Sequence, residues 1–137
     1  MPLQKPFQGI HTEHKDKIST EMYLKTIFLL REAHHVDPRP VDLVKELHLS
    51  KGSVSEMLKK LADEKYIHYE SYGTITFTLK GLKKARNVMK KYLIIKRFLA
   101  DYLRINPSCV HEEACALEHA FSDDSIKKLE TLLKSEE

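Results

Sequence analysis

Cysteine is scarce. Only Cys109 and Cys115 occur in 137 residues, so no disulfide framework is implied. No apolar run approaches the ~18 residues of a membrane span. The start, Met1-Pro2-Leu3-Gln4-Lys5-Pro6, lacks the apolar core of a signal peptide, and a cytoplasmic location is expected. A glycine-rich phosphate loop, a nucleophile elbow and a general base at catalytic spacing are all missing. The expectation is therefore no enzyme, no small-molecule substrate and no membrane partner. Charge of one sign is in slight excess, with 23 Lys and Arg against 20 Asp and Glu, net +3. That permits nucleic-acid binding without arguing for it. What is present, 42% apolar and 31% charged residues, fits one globular domain or two small lobes.

Residues 1–17 are polar, with two prolines, Gly9, His11 and His14, and read as a flexible arm. The two histidines are expected to be solvated. From Ile18 to about Ala33, Ile18, Met22, Tyr23, Ile27, Phe28 and Leu30 follow a helical period. Pro38 and Pro40 end that helix. Pro40 opens a short helix to Leu47. Ser50 then caps a second one, whose inner face is Val54, Met57, Leu58 and Leu61. Two short helices with a tight link predict a helix-turn-helix, the second helix entering the DNA major groove. Its outer face supplies the candidate DNA contacts: Ser50, Lys51, Gly52, Ser53, Ser55, Glu56, Lys59 and Lys60. Small residues at the helix start allow close approach to phosphates.

The period then changes to two. Ile67–Glu70 and Thr74–Thr78 predict strands, joined by Ser71-Tyr72-Gly73. The fold class is thus mainly α with a small β-hairpin wing. Tyr66, Tyr69 and Tyr72 are assigned to core or wing packing rather than base stacking. A long helix is expected from Leu82 to Leu103, with an apolar stripe wide enough to bury a partner subunit. Its first half carries Lys83, Lys84, Arg86, Lys90 and Lys91, a run equally suited to solvent and to phosphate. Asn106-Pro107 is a helix start, and that helix should run to about Ala120. Ser122 caps the last helix. The domain expectation is an arm over 1–17, a winged-helix domain over 18–80 and a helical metal-binding and dimerisation domain over 81–137.

The stretch His111-Glu112-Glu113-Ala114-Cys115-Ala116-Leu117-Glu118-His119 is dense in metal donors. On a helix, Cys115, Glu118 and His119 stand at i, i+3 and i+4, with His111 one turn below Cys115. Thiolate, carboxylate and imidazole together suit a transition metal.

Thr20-Glu21-Met22-Tyr23-Leu24 and His111-Glu112-Glu113-Ala114-Cys115 followed by Glu118-His119-Ala120-Phe121-Ser122-Asp123, in that order around a winged helix, resemble the diphtheria-toxin-repressor family. This family of metal-dependent transcriptional repressors includes the manganese-transport regulators. The resemblance implies a metal held by Met22, Cys115, Glu118 and His119. Taken alone, Met22 reads as a core residue. Met and Cys at positions 22 and 115 resemble the iron-responsive branch, so one divalent ion per chain is expected, Fe²⁺ before Mn²⁺. Zn²⁺, Co²⁺ or Ni²⁺ would substitute. The resemblance also makes His111 a further candidate ligand, of an ancillary site whose other positions are here Tyr92 and Lys96, with Lys96 expected to pair with a carboxylate in place of a second ion. The resemblance further implies a homodimer on a pseudo-palindromic double-stranded DNA operator, as a repressor of metal-homeostasis genes. The SH3-like domain of larger members is not expected, the sequence stopping at Glu137. The rival expectation is a metal-independent winged-helix regulator.

Overall fold

The computed structural model of the chain describes residues 10–70 and 73–135. Residues 1–9 of the arm expected over 1–17, and the Ser71-Tyr72 part of the hairpin loop, lie outside them. The chain divides into two units, one ending at Lys84 and the next starting at Ala85.

In the first unit, α1 (Ile10–His34) starts eight residues before Ile18. Residues 10–17 are therefore helical, not part of a loose arm. No glycine or proline stands between Gly9 and Pro38, so nothing interrupts the helix. Asp16 also pairs with Lys60 at 3.6 Å, tying the extension to α3. His35 leaves α1 in the left-handed region, φ 57°.

α2 (Pro40–Leu47) and α3 (Lys51–Asp63) form the expected helix-turn-helix. His48, φ 55°, makes the tight link. The Ser50 hydroxyl accepts the Ser53 N–H at 3.1 Å and donates to the Ser53 hydroxyl at 2.9 Å. Leu43, Val54, Leu58 and Leu61 are fully buried, each such side chain contributing about 1.5–3 kcal/mol.

β1 (Ile67–His68) and β2 (Thr76–Phe77) pair antiparallel, Ile67 opposite Phe77. Both are shorter than the pattern predicts. The Ile75 N–H donates to the Pro38 carbonyl at 2.8 Å, so the ladder loses a donor to the α1–α2 link. α4 (Leu79–Arg97) begins three residues before Leu82 because Thr78 caps it, its hydroxyl accepting the Gly81 N–H at 3.0 Å.

The second unit holds most of α4, then a π-helical turn, Phe98–Tyr102. The Leu103 N–H reaches back five residues to the Phe98 carbonyl, a register the apolar period does not reveal. α5 (Pro107–Leu117) starts at Asn106, whose side chain accepts the Ser108 N–H at 3.0 Å. α6 (Asp123–Ser135) is capped by Ser122. The core is Tyr92, Ile95, Leu99, Val110, Ala114, Ile126, Leu129 and Leu133.

Lys91 departs from the solvent-or-phosphate expectation. It is 4% exposed. Its ammonium donates to the Phe121 carbonyl at 2.8 Å and pairs with Asp123 at 3.0 Å. Asn87 donates to the same Asp123 carboxylate at 3.0 Å. The phase was available, since Lys91 lies three residues after Val88 and four before Ile95. Lys91→Ala should cost about 1–3 kcal/mol, because the half-buried Phe121 carbonyl loses its donor. A thermal melt reads this as a lower Tm; an unchanged Tm would mean that water replaces the ammonium without loss.

Candidate metal centre and nucleic-acid interface

The candidate DNA contacts gather on one side of α3. Ser50, Lys51, Gly52, Ser53, Glu56 and Lys59 are exposed, and Ser55 is half-buried. Lys60 is half-buried and held by Asp16. Ser50 spends its hydroxyl on the helix cap and on the Ser53 hydroxyl, leaving Lys51 and Glu56 as the exposed charged groups at the helix start.

The candidate metal donors come as pairs. α5 ends at Leu117, three residues short of the expected end. The Ala120 N–H returns only to Leu117, so His119 sits in a turn rather than a helix. Glu118 remains at the helix end, its N–H on the Ala114 carbonyl. His119 Nε2 lies 3.3 Å from Glu118 Oε1, and the two residues are 7% and 1% exposed. Cys115 is half-buried against the core, its thiol 3.7 Å from His111 Nε2. Met22, on α1, is 37% exposed. Its neighbour Tyr23 is buried, which pushes the phenol above its ordinary value and keeps it neutral.

A thiol, a carboxylate, an imidazole and a thioether have the chemistry of a site for a late divalent metal. Yet among the described residues no three His, Cys, Asp or Glu side chains gather into a group that could hold an ion. Buried polar side-chain atoms of the described residues all have hydrogen-bond partners as they stand. The Glu118–His119 pair is thus a formed, buried element, while Cys115 turns to His111. His111 Nδ1 is 2.6 Å from the Tyr92 hydroxyl, either group donating according to the tautomer. Lys96 does not pair with a carboxylate among the described residues; its ammonium stands over the Tyr92 ring at 5.9 Å.

Sequence reasoning missed the brace behind this site. Lys91 holds the Phe121 carbonyl, two residues after His119, and so fixes the turn carrying the pair. In the first unit, Lys84 reaches the buried Glu21 carboxylate at 3.6 Å, beside Met22. Each partner lies at least 30 residues away in the chain, beyond any local pattern.

Comparison with known proteins accounts for both halves. Residues 17–75 match the iron-dependent repressor N-terminal DNA-binding domain, and residues 78–136 its metal-binding and dimerisation domain. An uncharacterised helix-turn-helix transcriptional regulator of Methanocaldococcus jannaschii is 35% identical over 116 residues, 85% of this chain and 93% of that one. The diphtheria toxin repressor of Corynebacterium diphtheriae is 32% identical over 116 residues, and the chain spans only 51% of its length. A solved manganese-dependent transcriptional repressor in complex with manganese superposes with a TM-score of 0.76 at 27% identity, over 84% of this chain and 52% of that one. The relatives are regulators of transcription. With a winged helix in its first unit and a helical second unit carrying the Glu118–His119 pair, the chain belongs to the iron-dependent repressor family, the family of the diphtheria toxin repressor and the manganese regulators.

Proposed function

We propose that the chain is a DNA-binding transcriptional repressor activated by a divalent metal, working as a homodimer. The observation that carries this reading is the face of α3: small and polar side chains with Lys51 and Lys59, exposed at residues 51–53, 56 and 59, over an apolar inner side. Lys51 and Lys59 supply charge for phosphates. Glu56 accepts from cytosine N4 and repels phosphate, so it favours particular bases.

Met22, Cys115, Glu118 and His119 are the proposed metal ligands, with Fe²⁺ preferred over Mn²⁺ on the softness of Met and Cys. The ion would supply positive charge and directional bonds. Donors drawn from both units can share one ion in only one arrangement of those units, so ligation selects that arrangement. Moving the population from 1:99 to 99:1 takes roughly 5.5 kcal/mol of preference. Glu118 and His119 contribute a buried, mutually oriented start to the site. Cys115 must leave His111 to join them. His111 stays with Tyr92, which makes a second ion at that position unnecessary.

The dispersal of the donors favours one rival, a metal-independent winged-helix regulator. One experiment separates them. Fe²⁺, kept reduced, and Mn²⁺ are titrated against DNA binding to selected duplexes, with native mass spectrometry counting bound ions. The expected result is a metal-dependent gain in affinity at one ion per chain. Equal binding with and without metal would select the rival, and two ions per chain would overturn the assignment of Tyr92, Lys96 and His111.

A further inference from the structure

Within the first unit, a groove of about 370 Å³ lies between the first half of α1, the end of α3 and the second turn of α4. Pockets for small ligands start at roughly 300 Å³. Some of its polar lining is already engaged. Lys60 pairs with Asp16 at 3.6 Å, and Lys84 pairs with the buried Glu21 at 3.6 Å. The Tyr66 ring forms a further wall. Lys80 holds that wall, its ammonium 4.3 Å from the ring centre and donating to the Glu64 carbonyl at 2.7 Å.

Three lining groups are left over. The Lys17 ammonium, the Glu64 carboxylate and the Thr20 hydroxyl have no hydrogen-bond or ion-pair partner among the described residues. For an exposed lysine that is ordinary. For Thr20 it is not, since the residue is only 8% exposed. A buried helical threonine commonly bonds its hydroxyl to the carbonyl one turn back. Thr26, on the same helix and 9% exposed, does this, donating to the Met22 carbonyl at 2.7 Å. Thr20 does not. Every fully enclosed polar side-chain atom among the described residues is bonded, so the Thr20 hydroxyl must open into the groove.

The leftover groups select a ligand by charge. A simple oxyanion would meet Lys17 but be repelled by Glu64. A metal cation would meet Glu64 but face the ammoniums of Lys17, Lys60 and Lys84. A molecule bearing both charges suits all three groups, and an α-amino acid carries a carboxylate and an ammonium on one carbon. We propose that this groove binds a small zwitterion of the α-amino-acid class. Its carboxylate takes the Thr20 hydroxyl and the Lys17 ammonium, and its ammonium takes the Glu64 carboxylate. The ion pairs of Lys60 and Lys84 are longer than the ~2.7–2.9 Å of a tight charged hydrogen bond, so both can lean towards the bound carboxylate. The site stands apart from the metal and DNA readings. It would give the chain a second input, because the bound molecule joins α1, two residues before Met22, to the end of α3.

The metal-free full chain tests this without DNA. Each of the common α-amino acids is added at millimolar concentration, and those that raise Tm are titrated by calorimetry. At least one should bind, one molecule per chain. Its amide lacks the carboxylate and its N-acetyl derivative lacks the ammonium; each should bind about tenfold or more weakly. Thr20→Val, close in shape, and Glu64→Gln should each weaken the amino acid by a similar factor. Glu64→Gln should not weaken the N-acetyl derivative further, because that ligand has no ammonium to lose. If no amino acid binds, the proposal falls. It falls equally if the amide or the N-acetyl derivative binds as tightly as the amino acid, or if Thr20→Val and Glu64→Gln both keep the affinity of the unmodified chain.

Discussion

His119→Ala is expected to abolish the effect of metal on DNA binding while leaving the chain folded. In the proposed mechanism the competent population rises from about 1% to about 99% on ligation, a gain of roughly 100-fold in apparent affinity. Without the imidazole that ratio should fall to about 1. The imidazole lies 3.3 Å from the Glu118 carboxylate in a buried turn, so truncation also takes a neighbour from a buried group. That costs about 1–3 kcal/mol. The loss is bearable, because the core of the second unit is built from eight other side chains and the turn remains tied by Lys91. Cys115→Ala should lose the metal response equally with less effect on stability, since the thiol is half-buried and lies 3.7 Å from an exposed histidine one turn away. Affinity for a selected duplex, measured with and without metal, decides the matter, with circular dichroism reporting the fold. A His119→Ala protein that keeps the ratio of the unmodified chain would sink the proposed clamp.

The parts of the fold that were legible in the sequence are those written in local chemistry. Pro40, Ser50, Asn106 and Ser122 mark helix starts by satisfying or removing N–H groups within one turn, and the helices begin there. What was not legible depends on a distant partner. The hairpin is short because Pro38 takes the Ile75 N–H. Lys91 is buried because Phe121 and Asp123 await it across 30 residues. The metal donors show the same division. Their identities stand in one nine-residue stretch and invite a single helical face. α5 ends within that stretch, so the structure joins His111 to Cys115 and Glu118 to His119 instead.

Gly81→Ala sets a local expectation against a tertiary one, and the tertiary one should win. Gly81 lies in the first turn of α4, where alanine is the better helix former by about 1 kcal/mol. On propensity alone the substitution stabilises. An added Cβ, however, would stand 1.8 Å from the Tyr66 carbonyl oxygen and 3.2 Å from the Phe77 ring. The obstacle is backbone, not the far end of a flexible chain. That carbonyl is moreover fixed by the Thr78 N–H at 3.1 Å and the Thr78 hydroxyl at 3.0 Å. Either α4 or the strand entry must move, and both carry the wing. The expected cost is about 3 kcal/mol or more, a Tm lower by roughly 10 °C. Gly52→Ala is the matched control. It too sits in the first turn of a helix, but nothing lies within 4 Å of its added Cβ, so its stability should hold or rise. A Gly81→Ala protein that melts at or above the unmodified chain would show that the hairpin yields freely. Displacing the hairpin also disturbs α3, which packs against β1, so Gly81→Ala should weaken DNA binding even at temperatures where it remains folded.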